Sequence, residues 1–403
     1  MTILIDIKES DYMATQEEET YDGDDDENDV ETISDIVEYD ITASPNDFNV
    51  RTIFDFINSG IMEIPGFQRN YVWDKKRASK FVESLIIGIP VPQVFLYEKE
   101  RNKFSVIDGQ QRLLSIYYFM KSRFPIKEKL AQIRREFDKE NNLSDKIISN
   151  NDFFKDFELR LDSSNPNTEH PLNGQKYTTL DTDYKKAFEY RTIRCIVVRQ
   201  NRPEKGHGAM YEIFSRLNTG GINLTPQEIR VCVYESQFYN MLRKINLDSR
   251  WRNILGKNEP DLHMKDLEIL LRSLAMLAHG DAYRPSMVRF LNSFSNEAVG
   301  FNSAKIDYFQ ALIENFLNMF VENGHEKFAV SSSGRFNISI FEAVFYAACK
   351  KAYDKNSLEV ASLSADKLSV LRANVHLINA TEAKTSDTKN VKTRLQMAMG
   401  TLL

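Results

Sequence analysis

The sequence predicts an α+β protein: a small mixed domain followed by an all-helical domain, with an acidic arm in front. Three observations carry this. Short apolar runs of strand character (61–64, 93–97, 104–107, 194–199) are interleaved with helical patterns in the first half, and no convincing strand follows residue 237. Beyond it, 265–278, 306–321, 338–353 and 367–378 each place apolar residues at i, i+3, i+4 and i+7, the spacing of one helix face. Charge is also unevenly divided. Residues 1–40 hold 16 Asp/Glu against one Lys, while the rest holds 42 acidic and 51 basic residues, a charge of +9.

Taken in order, 2–7 alternates weakly and reads as a strand, and 17–40 is too acidic to pack and reads as disordered. Ser44-Pro45 is read as the start of a helix over 49–57, stopped by Ser59-Gly60. The strand 61–64 ends at Pro65. Asp74 is a good N-cap for 75–87, with Phe81, Leu85 and Ile86 on the apolar face and Gly88 as terminator. The strands 93–97 and 104–107 flank a polar turn and read as a hairpin, followed by a helix over 110–119. The polar stretch 121–188 reads as an insertion. Cys195-Ile196-Val197-Val198 marks a buried strand, 209–217 a helix, and Thr225-Pro226 the cap and first turn of 226–234. The implied division is an arm (1–44), a mixed domain (45–235) and a helical domain (236–403).

With 42% hydrophobic and 27% charged residues, the composition excludes a collagen-like, disulfide-scaffold or wholly disordered chain. No apolar run is long enough to span a bilayer, and the N-terminus lacks the basic and apolar regions of a signal peptide. Three scattered cysteines form no CxxC pair, which fits a reducing, cytoplasmic setting. A basic body with an acidic arm points towards nucleic-acid or phosphate chemistry. The arm is read either as a solubilising tail or as a mimic of DNA competing for basic stretches at 191–202, 243–257 and 384–394.

Three loops carry polar groups suited to chemistry. Asp108-Gly109-Gln110-Gln111-Arg112 lies between a strand and a helix. Such a turn presents free amides and the positive end of the helix dipole to an anion. Gly109 permits close backbone approach, Arg112 offers a fork for phosphate, Gln110 and Gln111 supply neutral donors and acceptors, and Asp108 suits a phosphate-bound Mg2+. The bland alternative is a solvated hairpin exit. Phe67-Gln68-Arg69-Asn70-Tyr71-Val72-Trp73 combines a guanidinium with aromatic faces able to stack on a base; alternatively Tyr71 and Trp73 plug the core. Arg216-Leu217-Asn218-Thr219-Gly220-Gly221, running to Glu228, is either a helix C-cap and turn or a third loop in which Asn218, Thr219 and Glu228 face the same ligand. P-loop, Rossmann, zinc-ligand and GxSxG patterns are missing, and the six His are scattered.

Four segments occur in an order that resembles one family: Ile64 to Trp73, Gly88-Ile89-Pro90-Val91-Pro92, Asp108 to Arg112, and Phe214 to Gly221. Together with Leu172 to Leu180 they are similar to the N-terminal domain of GmrSD-type (type IV) restriction endonucleases, of the ParB/sulfiredoxin-like superfamily, over residues 45–235. The resemblance implies a small nucleotide-binding fold in which Asp108 to Arg112 handle a nucleoside triphosphate with Mg2+. Gln68 and Arg69 would contact the same ligand, and Asn218 and Thr219 would close the pocket. It also implies a part in defence against phage or modified DNA. Nothing here resembles the C-terminal His-Asn-His nuclease domain of full-length members, so the expectation is either a separate nuclease partner for cleavage or no cleavage at all. Two further readings stand beside NTP hydrolysis: a metal-dependent nuclease using the same loops, and a non-catalytic DNA-binding partner protein.

Overall fold

The computed structural model of this chain describes residues 21–22, 40–64, 71–130, 132–133, 145–163, 168–202, 208–217, 225–261, 263–320, 324–330, 333–382 and 384–403. The expected strand at 2–7 lies outside them. The first elements are β1 (Tyr21–Asp22), β2 (Asp40–Asn49) and α1 (Val50–Asn58), whose N-cap Asn49 accepts the Thr52 amide at 2.8 Å. After β3 (Met62–Glu63), Asp74 caps α2 (Lys75–Ile87) by accepting from the Arg77 amide at 2.7 Å, and Gly88 closes it in the left-handed region. The hairpin β4 (Val94–Glu100) and β5 (Lys103–Asp108) leads into α3 (Gln110–Met120). The 121–188 segment adds β6 (Arg123–Pro125), α4 (Asp145–Ile148), β7 (Phe154–Asp156) and α5 (Thr182–Glu189). The chain returns through β8 (Thr192–Arg202), α6 (Gly208–Leu217) and α7 (Pro226–Val233).

The sheet has the order β2-β8-β4-β5-β3, with β4 parallel to β8, β3 parallel to β5, and the other neighbours antiparallel. Side chains alternate across it, and both faces are buried. Val94, Leu96, Val106, Cys195 and Val197 join one core with α1, α2 and α3. Tyr97, Ile107 and Val198 point the other way, into a core shared with α6, α7 and the helical half. One sheet thus serves two hydrophobic cores.

The helical half runs through α8 (Gln237–Asn246), α9 (Ser249–Leu255), α10 (Lys265–His279), α11 (Met287–Ala298), α12 (Ser303–Leu317), α13 (Gly324–Phe328), β9 (Phe336–Asn337), α14 (Ile338–Asp354), α15 (Ala365–Arg372), α16 (Val375–Glu382) and α17 (Thr388–Leu402). Its centre contains a buried ion cluster. Glu342 on α14 accepts from Arg272 Nε of α10 at 2.6 Å and from Arg394 Nη2 of α17 at 2.6 Å. Burial would raise the Glu342 carboxyl, but the two guanidiniums hold it below the usual carboxylate range. Among the described residues no helix is long and apolar enough to cross a membrane.

Several expectations need correction. Ser44-Pro45 does not open a helix; both residues lie in β2, where Pro45 faces Ile196. β2 is an edge strand, where proline is tolerated because alternate backbone amides face away from the sheet. Part of 17–40 is ordered: Tyr21–Asp22 pairs in parallel with Phe336–Asn337, and Asp40 opposes Arg202. The Tyr21 ring meets Phe336 edge-on, with Lys257 Nζ 4.4 Å from its centre. A partner so distant along the chain leaves no mark on local composition. The expected 367–378 helix is broken into α15 and α16, because the Asn374 side chain accepts the His376 amide at 2.9 Å and restarts the helix. β9 is too short to show periodicity. Of the basic stretches, 243–257 and 384–394 are in part internal: Arg243, Arg252 and Arg394 are buried, and Arg252 meets Asp266 at 2.8 Å.

Candidate functional site

Asp108 ends β5 and Gly109 is the N-cap of α3, with φ 99°. A Cβ at Gly109 would fall 2.8 Å from Val94 Cγ2 and 3.3 Å from Arg112 Nη2, so only glycine fits both the backbone and the space. Gly109 brings no capping side chain to the helix start. One turn on, Arg112 folds back and donates from Nη2 to Asp108 Oδ2 at 2.9 Å; the Arg112 side chain is 12% exposed and that of Asp108 40%. The guanidinium is thereby held at the N-terminal end of the helix.

The other two residues of the motif face inward or sideways. Gln110 is buried. Gln111 Oε1 accepts the amides of Val72 at 3.0 Å and Trp73 at 3.4 Å. It therefore ties the second polar loop to the first turn of α3. A second tie runs beside it. The Tyr71 hydroxyl lies 2.7 Å from Ser115 Oγ, and Ser115 donates to the Gln111 carbonyl at 2.7 Å. The Tyr71 ring packs edge-on against Tyr118 and Phe124. Burial pushes its hydroxyl well above the usual phenol range.

Tyr71 is therefore a core residue that fastens the loop, not a stacking platform. Trp73 is half-buried: its ring meets Phe81 edge-on at 5.6 Å, and the Arg77 guanidinium sits 4.9 Å above it. Gln68 and Arg69 lie outside the described residues, as do Asn218 and Thr219. Arg216 is exposed at the end of α6 and meets Glu212 at 3.0 Å. α6 itself packs against β5, the strand that ends at Asp108. Glu228 has a helix-capping task. Its Oε2 accepts the Thr225 amide at 2.7 Å while Thr225 Oγ1 accepts the Glu228 amide at 3.3 Å, a capping box that starts α7. It is fully buried, with His263 Nδ1 3.6 Å from its carboxylate.

The pairing of Gln111 and Ser115 with residues 71–73 is not readable from the sequence, since nothing local in either segment names the other. A cleft of about 420 Å³ lies elsewhere, at the far end of α3, lined by Lys121, Arg123, Asp145, Ile148 and Ser149. Cys195 lies on β8 close enough to Arg112 to feel its charge; burial nevertheless pushes its thiol up to about 12, which rules against a nucleophile there.

The first-turn amides of a helix and a guanidinium held at its N-terminal end are groups of the kind that suit an anion. Residues 50–235 match the family model described as the GmrSD restriction endonuclease, N-terminal domain, so this stretch of the chain is similar to a GmrSD-type N-terminal domain. The match supports a part in a restriction- or defence-related system acting on DNA. Comparisons with curated proteins and with solved structures found no match.

Proposed function

We propose that residues 50–235 bind and hydrolyse a nucleoside triphosphate with Mg2+, as the nucleotide-handling part of a DNA-sensing restriction or anti-phage system. The observation that carries this reading is the Arg112 guanidinium, held 2.9 Å from Asp108 across Gly109 at the start of α3. There the amides of the first helical turn and the guanidinium can share one anion, and Gly109 lets Val94 and Arg112 pack closely against the turn. Arg112 would stabilise charge on the transferring phosphoryl group.

Among the described residues no three His, Cys, Asp or Glu side chains gather into a metal cage. Mg2+ would therefore ride on the phosphates, a mode that needs only one or two protein carboxylates; Asp108 is the one within reach. Bound there, the ion would neutralise phosphate charge. The Gln111 oxygen already serves two loop amides, so the orientation of water would fall to Asp108 or Gln110. DNA cleavage would belong to a separate nuclease partner.

The test is phosphate release from each of four NTPs with Mg2+, with and without DNA, for the native chain and Arg112→Ala. Release that depends on Arg112 is expected. DNA cleavage with metal and no NTP would favour the nuclease reading, and binding of DNA without any NTP binding would favour a non-catalytic partner protein.

A further inference from the structure

From the structure we infer that the exposed face of α2, together with the segment that runs beside it from β7 to residue 162, is a docking surface for the phosphate backbone of duplex DNA. The inference rests on the DNA-acting reading above and names the surface that would serve it.

Two hydrogen bonds place the elements side by side. Lys75 Nζ donates to the Asp156 carbonyl at 2.9 Å, and the Arg160 amide donates to Ser79 Oγ at 2.8 Å. They bring Lys75, Lys76, Arg77 and Lys80 of α2 beside Lys155 and Arg160. Lys76 and Lys80 are one helical turn apart and share a face. Their crowding is visible in Lys75, whose ammonium is pushed down by burial and then by Lys155, with Arg160 also contributing. Five acids lie in the same area, and each has an assignment; Glu83 of α2 meets His170 at 2.8 Å. Asp74 caps α2. Asp156 and Glu158 meet Lys176 at 2.5 and 3.2 Å, and Asp156 also meets Arg123 at 3.3 Å. Asp162 meets Lys76 at 2.5 Å. The side chains of Lys80, Lys155 and Arg160 make no ion pair within 4 Å among the described residues and are exposed. The surface therefore has an excess of positive charge.

Duplex DNA offers one negative charge about every 1.7 Å of axis, and a row of uncompensated Lys and Arg is the surface that takes it. An anionic membrane surface also attracts clustered cations, but a helix that lies in it buries an apolar face beside them. Ile87 at the C-terminal end of α2 is exposed, but among the described residues no large hydrophobic is exposed between 75 and 80 or between 155 and 162, where the cations lie. The position also has a consequence. α2 follows Trp73 directly, and Gln111 holds the Val72 and Trp73 amides. DNA on this face would lie next to the loop stapled to the Asp108–Arg112 turn.

The experiment is anisotropy of a labelled duplex at two or more salt concentrations, using the full chain. The variant Lys76→Gln/Lys80→Gln/Lys155→Gln/Arg160→Gln removes four exposed cations and leaves Arg112 and the 71–73 loop intact. We expect at least tenfold weaker DNA binding and a log–log salt slope shallower by about three to four, near 0.9 for each phosphate no longer neutralised. NTP affinity should be unchanged. Asp162→Asn, at a side chain 69% exposed, removes an opposing anion and should tighten DNA binding. If the native chain binds DNA and both variants match it in affinity and slope, this surface is rejected while the DNA reading stands. If the native chain binds no DNA, both fall. If the native chain binds anionic vesicles and the quadruple variant loses vesicles but not DNA, the surface belongs to a membrane and the inference is overturned.

Discussion

Replacing Arg112 by Ala should weaken nucleotide binding by one to two orders of magnitude while leaving the fold in place. The two effects can be separated from the structure. Arg112 is 12% exposed and makes one ion pair, at 2.9 Å, to an Asp108 side chain that is 40% exposed. Asp108 can therefore recover water when its partner is removed, and the pair should contribute no more than about 1 kcal/mol to stability. A phosphate loses more. A hydrogen bond to a charged group is worth roughly 1.5–3 kcal/mol, which corresponds to about a 10- to 150-fold rise in Kd. Arg112→Lys should recover part of the loss, because an ammonium keeps the charge but not the planar fork. The assay is titration of each NTP in Mg2+, by calorimetry or a fluorescent analogue, with urea unfolding of the same preparations as control. Binding by Arg112→Ala within twofold of the native chain, at matched stability, would refute the assignment of the turn as the phosphate site.

Other perturbations test the frame around that turn. Gly109→Ala should cost about 1–2 kcal/mol for the left-handed backbone and about 1–3 more for the clash with Val94, read as a lower urea midpoint. Glu342→Ala strands two buried guanidiniums and should destabilise the protein by about 3–5 kcal/mol; an unchanged midpoint would contradict the ion cluster. Burial opposes the ionisation of Glu268, but Lys265 and Arg230 hold it down from 4.5 to about 2, and Glu342 shifts in the same direction. Both folded pKa values lie below the unfolded ones, so this stability is fully present above pH 4.5 and is lost as the pH falls towards 2, which stability curves across that window will show. Removing residues 1–39 spares β2 but deletes β1, and should tighten DNA binding and steepen its salt dependence if the arm competes as a polyanion; equal affinities and slopes would reject that competition.

Much of the local structure was legible in the residues themselves. The bounds of α2 follow from Asp74 and Gly88, those of α7 from Thr225-Pro226, and the β4–β5 hairpin from its polar turn, because caps and turns act over three or four residues. The polar turn at Asp108–Arg112 was legible for the same reason. Tertiary structure decided which polar groups remain free for chemistry. Glu228 and Gln111 read alike as ligand acceptors, yet one closes a capping box and the other clasps a loop 38 residues away. Arg252 and Arg394 read as surface cations but lie inside ion clusters, whereas Lys155 and Arg160 carry no local signal and stand exposed beside α2. Periodicity and capping depend on neighbours along the chain. The pairing of a buried charge, the docking of Tyr21 on β9 and the sharing of one sheet between two cores depend on segments that meet only after folding, and their cost or gain is set by burial, which no short window of sequence contains.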